Sequence, residues 1–351
     1  MSAEGLEAED GSIVRTFTCT CGNRIHFEND TCLQCGCRLG FDPAQMTLRP
    51  VTSRDRLCGN YDEWHVCNWL VGGGEARLCA ACALTEMVPD PADGRRVKLW
   101  YEVEKAKRRL LFSLHSLRLP VEGRAERADG LAFRILADAR LDTAQATASV
   151  DDPVMTGHDQ GLITINLMEA APELREQMRE AMDEPYRTVL GHFRHESGHY
   201  YWRRLVEGSP VHGRFRDRFG DERESYADAL GNHYTKGPPV DWQSRHVTPY
   251  AASHPLEDFA ETWAHYLHMT DTLESAHDAG LGTGARTFAS PLPTRASFDR
   301  TLDDWQDLAT VMNSLNRSMG LPDPYPFSLA ATTADKLRFV HDLVADWAAA
   351  A

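Results

Sequence analysis

HFRHESGHYYW, residues 192–202, is the stretch on which the reading of this chain turns. It contains His195-Glu196-Ser197-Gly198-His199. Residues four apart in an α-helix lie one turn apart on one face, so His195 and His199 can bring two imidazoles to one metal ion. Zinc takes imidazole nitrogen readily, and a catalytic zinc keeps one position open for water. Glu196 lies beside the two histidines, where it can take a proton from that water. The motif needs a helix, and one is predicted from about Pro185 to Val206, with Asp183 or Glu184 as its cap and Pro185 in its first turn. A solvated polar helix face is the competing explanation for so short a motif. The surrounding sequence argues against it.

Upstream, GLITINLM (161–168) alternates Ile163, Ile165 and Leu167 with Thr164 and Asn166, a strand signal, and LAFRILAD (131–138) suggests another strand. Residues 97–119 form an amphipathic helical pattern closed by Pro120. Downstream, SHPLEDFAETWAHYLHM predicts a second helix carrying Glu257 and Glu261 one turn apart, with His265 a turn further. Residues 296–350 are mostly helical, with a break at LPDPYPF (321–327).

The third ligand sets the subclass. A metzincin would carry Gly at 202 and His at 205; Trp202 and Leu205 stand there instead. A later helix must then supply a carboxylate, and either Glu257 or Glu261 can do so, the other orienting a ligand histidine. The segment Tyr250 to Glu261 resembles the third-ligand region of the lethal-factor-type gluzincins. That resemblance implies Glu257 as the zinc ligand, Glu261 as the support of a ligand histidine and Tyr250 as an oxyanion donor. Asp258 departs from the pattern, which has an aromatic there; it is a candidate to reshape the pocket or compete for the metal. His254 is an alternative ligand or substrate contact but reads rather as a surface histidine or one supporting the site, and His192, one turn before His195 on the same side, reads as structural or as supporting the site. The strand at 161–167 resembles the zincin edge strand, along which an extended peptide adds by backbone hydrogen bonds.

The nine cysteines all lie in the first quarter of the chain. Cys19-x-Cys21 and Cys32-x-x-Cys35 provide four thiolates in 17 residues, the pattern of a zinc ribbon. Cys58, Cys67 and Cys79-x-x-Cys82 provide a second set with looser spacing. Cys37 is left over, as an alternative to Cys35, and His26 and His65 are alternative ligands. CGNRIHFEND, LGFDP, EPYRTVLGHFRHESGHYYW and HPLEDFAETWAHYLH together resemble a bacterial family of zinc-binding metallopeptidases with an N-terminal zinc-ribbon segment. That resemblance spans most of the chain.

Composition narrows the partners. The 351 residues carry a formal net charge of -15, and residues 1–90 hold 7 Lys+Arg against 13 Asp+Glu. A nucleic-acid partner is therefore not expected. The run Lys105, Lys107, Arg108, Arg109 reads as the solvated face of a helix. MSAEGLEAED lacks the basic and apolar regions of a secretory signal, and no run of 18 apolar residues exists. A cytoplasmic protein without a membrane span is expected.

The expected architecture is α+β: a disordered tail (1–15), a double zinc ribbon (16–90), a linker at 87–94, and a mostly helical zincin-like metallopeptidase domain with a small sheet (91–351). The expected function is zinc-dependent hydrolysis of a peptide or protein substrate, with one catalytic and two structural zinc ions. The ribbons are expected to contact a protein partner. The alternative is a catalytically silent zincin scaffold that binds proteins through its ribbons.

Overall fold

The computed structural model describes residues 16–143, 145, 149, 151–181, 184, 187–283, 286–288 and 293–350. The expected tail and the helix-start residues Asp183 and Pro185 lie outside them. The cysteine segment forms two small hairpins, β1 (Thr16–Thr18) with β2 (Arg24–His26) and β3 (Leu39–Asp42) with β4 (Thr47–Pro50). Two short helices follow, α1 (Gly59–Trp64) and α2 (Ala80–Ala83).

Strand β5 (Thr85–Met87) then leaves this segment and enters a four-stranded sheet with β6 (Ala132–Leu136), β7 (Gly157–Asp159) and β8 (Leu162–Asn166). The order is β5-β6-β8-β7, parallel except for β7. The linker is therefore shorter than 87–94, since Met87 is still in a strand. Helix α3 (Gly94–Ser116), capped by the Asp93 carboxylate, connects β5 to β6. The small helix α4 (Arg140–Thr143) follows β6.

Strand β8 is not the sheet edge expected for 161–167. Its neighbours are β6 on one side and β7 on the other. Gln160 (φ 45°) and Gly161 (φ 84°) make a two-residue turn with both φ positive, the geometry that folds β7 back onto β8. Gly161 has a second reason to be glycine, since a Cβ there would meet the Asp129 carbonyl oxygen at 2.4 Å. The true edge, Gly-His-Asp, is too short and too poor in β-branched residues to announce itself.

Phe133, Ile135, Ile163 and Ile165 are fully buried on the sheet, and Phe133 meets Phe193 of the histidine-bearing helix edge-to-face at 5.6 Å. After α5 (Pro172–Ala181), helix α6 (Val189–Leu205) carries the histidine motif. It starts later than predicted. The Thr188 hydroxyl accepts from Gly191 N at 2.9 Å and caps it, while the Glu184 carboxylate pairs with Arg187. Helices α7 (His212–Phe219) and α8 (Tyr226–Lys236) lead to α9 (Pro255–Asp278), which lies along α6. A small hairpin, β9 (Gly282–Thr283) with β10 (Arg286–Thr287), precedes α10 (Phe298–Ser318) and α11 (Ala331–Ala350), which cover α9. The break at 321–327 falls between these two helices, as predicted. Among the described residues no helix is long and apolar enough to cross a membrane.

Candidate metal centre

The contact between α6 and α9 builds the site. Trp263 of α9 stacks on Tyr201 of α6 at 4.8 Å and donates to the Ser197 hydroxyl at 3.1 Å. Arg194 and Asp271, both buried, pair across the two helices at 2.6 Å. Gly198 lets the backbones approach: a Cβ there would lie 2.8 Å from Ala260 Cα. These contacts fix the turns that carry the histidines against the first turns of α9.

At that point three side chains converge. His195 Nε2 and His199 Nε2 are 3.3 Å apart. The two carboxylate oxygens of Glu257 lie 3.0 Å from the first nitrogen and 3.3 Å from the second. Donors held tetrahedrally about 2.0–2.1 Å from a zinc ion stand about 3.3–3.4 Å from one another. The arrangement therefore fits a zinc ion. Glu257 Oε2 is buried and faces His195 Nε2, the nitrogen that would share the metal with it. His195, Glu196 and His199 form one group whose ligand atoms lie within 4.8 Å of one another.

Around these, His195 Nδ1 donates to Glu261 Oε1 at 2.6 Å, and the Thr248 hydroxyl donates to Glu261 Oε2 at 2.8 Å. The histidine ring is thus aimed from behind, with Nε2 toward Glu257 and His199. Burial opposes a charge on His195, yet hydrogen bonds to Glu257 and Glu261 overcome it and hold its pKa well above the usual range. Burial likewise opposes ionisation of Glu257, and its contacts with His195 and His199 reverse that and hold its carboxyl well below the usual range. Glu196 is buried and hydrogen-bonds to no described residue.

Tyr250 stands with its ring 5.9 Å from that of His195. Burial, reinforced by the charge of Glu257, raises its pKa, so it is a phenol at neutral pH and able to donate.

Sequence reasoning missed several neighbours. Tyr226 of α8 donates to Glu257 Oε1 at 2.8 Å, and His158 of β7 stacks on His199 with ring centroids 6.1 Å apart. Neither stands at a spacing that ties it to the motif. Thr248, two residues before Tyr250, is the one of these neighbours that lies close to the motif in sequence.

Other candidates take different roles. Asp258 does not compete for the metal. Its carboxylate is engaged by Lys336 of α11 at 2.6 Å and His246 at 3.2 Å, and Lys336 also donates to the Arg245 carbonyl at 2.6 Å. His254 is not a surface residue; it is buried and caps α9, accepting from Leu256 N at 3.1 Å. His192 sits 3.3 Å from the buried Glu169, a structural contact. His265 is buried against the Tyr325 hydroxyl.

Both cysteine sets assemble. Cys19, Cys21, Cys32 and Cys35 form one group and Cys58, Cys67, Cys79 and Cys82 another, each within 4.8 Å. Sulfurs around a tetrahedral zinc at about 2.3 Å stand about 3.8 Å apart. Cys19–Cys35, Cys21–Cys32 and Cys67–Cys79 are each at 3.7 Å. Cys37 lies beside the first group, 3.5 Å from Cys19. His26 and His65 join neither group.

A chain with this helix-borne histidine pair and these two cysteine clusters falls in a known class. Residues 96–343 match the family described as "Putative zinc-binding metallo-peptidase", and residues 16–93 match a zinc-ribbon domain. The chain belongs to this metallo-peptidase family. It is 43% identical over 339 residues to an uncharacterized protein of Mycobacterium bovis and to uncharacterized proteins of two strains of Mycobacterium tuberculosis. These alignments cover 94% of this chain and 95% of each relative. No solved structure matches.

Proposed function

We propose that this chain is a gluzincin-type zincin that hydrolyses peptide bonds, with His195, His199 and Glu257 holding the catalytic zinc. The observation that carries this reading is the 3.0–3.3 Å convergence of two imidazole nitrogens and one carboxylate from two packed helices. Zinc, when bound, supplies Lewis acidity that brings the pKa of a water from about 15.7 toward about 7. The protein supplies the rest. Glu196 accepts the proton of the attacking water and returns it to the leaving amine. Glu261 holds the proton on His195 Nδ1, so Nε2 is the nitrogen that would give up its proton to take the metal. Tyr250, uncharged at neutral pH, donates to the oxygen that becomes negative.

The exposed sheet edge for a substrate is β7, the edge strand next to α6. An extended peptide adding there would run beside His158 and His199. Slower amide exchange in residues 157–159 on binding of a peptide inhibitor supports this; unchanged exchange refutes it. The two cysteine groups hold two further zinc ions, three per chain in all. Cysteines grouped for metal rather than paired in disulfides support a reducing, cytoplasmic setting.

The test is Glu196→Gln. It should retain three zinc ions by elemental analysis while losing cleavage of an unfolded protein mixture, read by mass spectrometry, on the order of a hundredfold or more. Wild-type cleavage in this variant would defeat the mechanism.

A further inference from the structure

The second cysteine group is bordered by charged groups from outside the cysteine segment. Its four cysteines are all buried. Against them α3 places Glu104, Lys107 and Arg108, which are 0%, 0% and 2% exposed. Lys107 and Arg108 are therefore not the solvated face that the run 105–109 suggested. Glu104 accepts from Lys107 at 2.8 Å and from Trp100 Nε1 at 3.2 Å, and its second oxygen is 3.9 Å from Cys82 Sγ. Lys107 also donates to the Thr85 hydroxyl at 2.5 Å.

Arg108 differs from both. Among the described residues no carboxylate forms an ion pair with it. It donates to the amide oxygen of Asn68, the residue after Cys67, at 2.9 Å, and a thiolate at Cys67 would favour its charge. Its Nε is buried without a partner. With four neutral thiols, this buried cluster would hold Glu104 (−1), Lys107 (+1) and Arg108 (+1), leaving one uncompensated cation. Burying an unpaired charge is strongly unfavourable. With a divalent zinc and four thiolates the centre itself carries −2, which Lys107 and Arg108 together offset, leaving Glu104 as the one excess charge.

We propose that Lys107 and Arg108 are the counter-ions of a zinc tetrathiolate at Cys58, Cys67, Cys79 and Cys82, and that this centre joins the cysteine segment to the catalytic helices. The chain connectivity agrees. Three residues after Cys82, β5 enters the catalytic sheet, and α3 packs on α6. From the other side, Asn68 Nδ2 donates to the Phe27 and Asn29 carbonyls at 2.7 and 3.1 Å, linking Arg108 to the first ribbon.

The experiment uses the full chain and needs no substrate, so it stands whether or not the peptidase reading holds. Zinc release to a chromophoric chelator is followed in a His199→Ala background, where only the two cysteine sites remain. Arg108→Met should weaken zinc retention at one of the two sites by about 10- to 100-fold, the range for a lost outer partner of a metal ligand. Glu104→Gln, which removes a negative charge beside the sulfurs, should hold zinc as tightly as the parent or more so. Mere damage to packing would loosen zinc in both. Equal retention in Arg108→Met and the parent, loss in Glu104→Gln as large as in Arg108→Met, or a parent with one zinc overturns the counter-ion assignment. If Arg108→Met does not fold, the sign of the Glu104→Gln effect decides by itself. In the parent, stripping this zinc should speed amide exchange in both α3 and α6; unchanged α6 exchange overturns the joining role.

Discussion

Gly198 lies on the α6 turn between the two histidines and faces the backbone of α9, and Gly198→Ala is the sharpest test of how the site is assembled. The new Cβ would lie 2.8 Å from Ala260 Cα and 3.2 Å from both the Ala260 carbonyl oxygen and Trp263 Cβ. Ordinary contact begins near 3.4 Å, so the shortfall is 3.4 minus 2.8, or 0.6 Å. The obstructing atom is backbone, so α9 must move as a body. Glu257 lies three residues before Ala260 and moves with it, while His195 and His199 stay on α6. Zinc–ligand distances tolerate roughly ±0.2 Å, so the displacement is about three times what the site absorbs. Stability is a poor readout here. Ala gains about 1 kcal/mol of helix propensity over Gly, and overpacking costs about 1–3 kcal/mol, so the two nearly offset. Metal affinity is the discriminating quantity. The third zinc should bind at least about tenfold more weakly, as for other losses of ligand orientation. The assay is competition against a chromophoric chelator, with His199→Ala as the reference for a lost site. A folded variant with wild-type affinity at all three sites would show that the α6–α9 approach does not set the ligand geometry.

The carboxylates of α9 should separate in the same assay. Glu257→Ala should lose the third zinc outright, whereas Glu261→Ala should weaken it about 10- to 100-fold; the reverse order would exchange their roles. Glu261→Gln should fall between Glu261→Ala and wild type, because its amide oxygen can still accept from His195 Nδ1. Lys336→Met strands the buried Asp258 carboxylate, which should cost about 3–5 kcal/mol in urea unfolding, and Lys336→Met with Asp258→Asn should recover most of it; no recovery would locate the loss elsewhere. Burial holds the pKa of His265 and His268 down at about 3, against about 6.5 when unfolded. The unfolded chain then binds more protons between these values, so stability should fall as pH drops from about 6.5 toward about 3. His268→Phe should flatten that decline, and a urea midpoint constant from pH 7 to pH 4 in the parent would contradict it.

The motif at 195–199 was legible because its chemistry depends on spacing within one helix. Helical periodicity alone places its members on one face. The cysteine pairs were legible for the same reason, since two knuckles are local turns. In the run at 105–109, Lys107 and Arg108 are buried because Glu104 on the same helix and Asn68 on the cysteine segment meet them, and the latter partner is 40 residues away. Asp258 misled because its partner is Lys336, 78 residues away. The sheet edge was misassigned because strand content marks a strand but not its neighbours. The Gln160–Gly161 turn, which hides β8 behind β7, is the one local signal of that order.

From sequence alone follow the metal-binding class, the helix that bears the two histidines, the two sets of four cysteines, and an α9 rich in carboxylates. These depend on contacts within a few residues, where backbone geometry dictates what meets what. Only the tertiary structure decided which carboxylate faces both imidazoles, which one braces His195, that β7 lies beside His199, and that the charged side chains of α3 are buried against the second cysteine group. Each of these is set by how two elements distant in sequence pack. Side chains such as Trp263 and residues without one such as Gly198 determine that packing, and no local pattern encodes it.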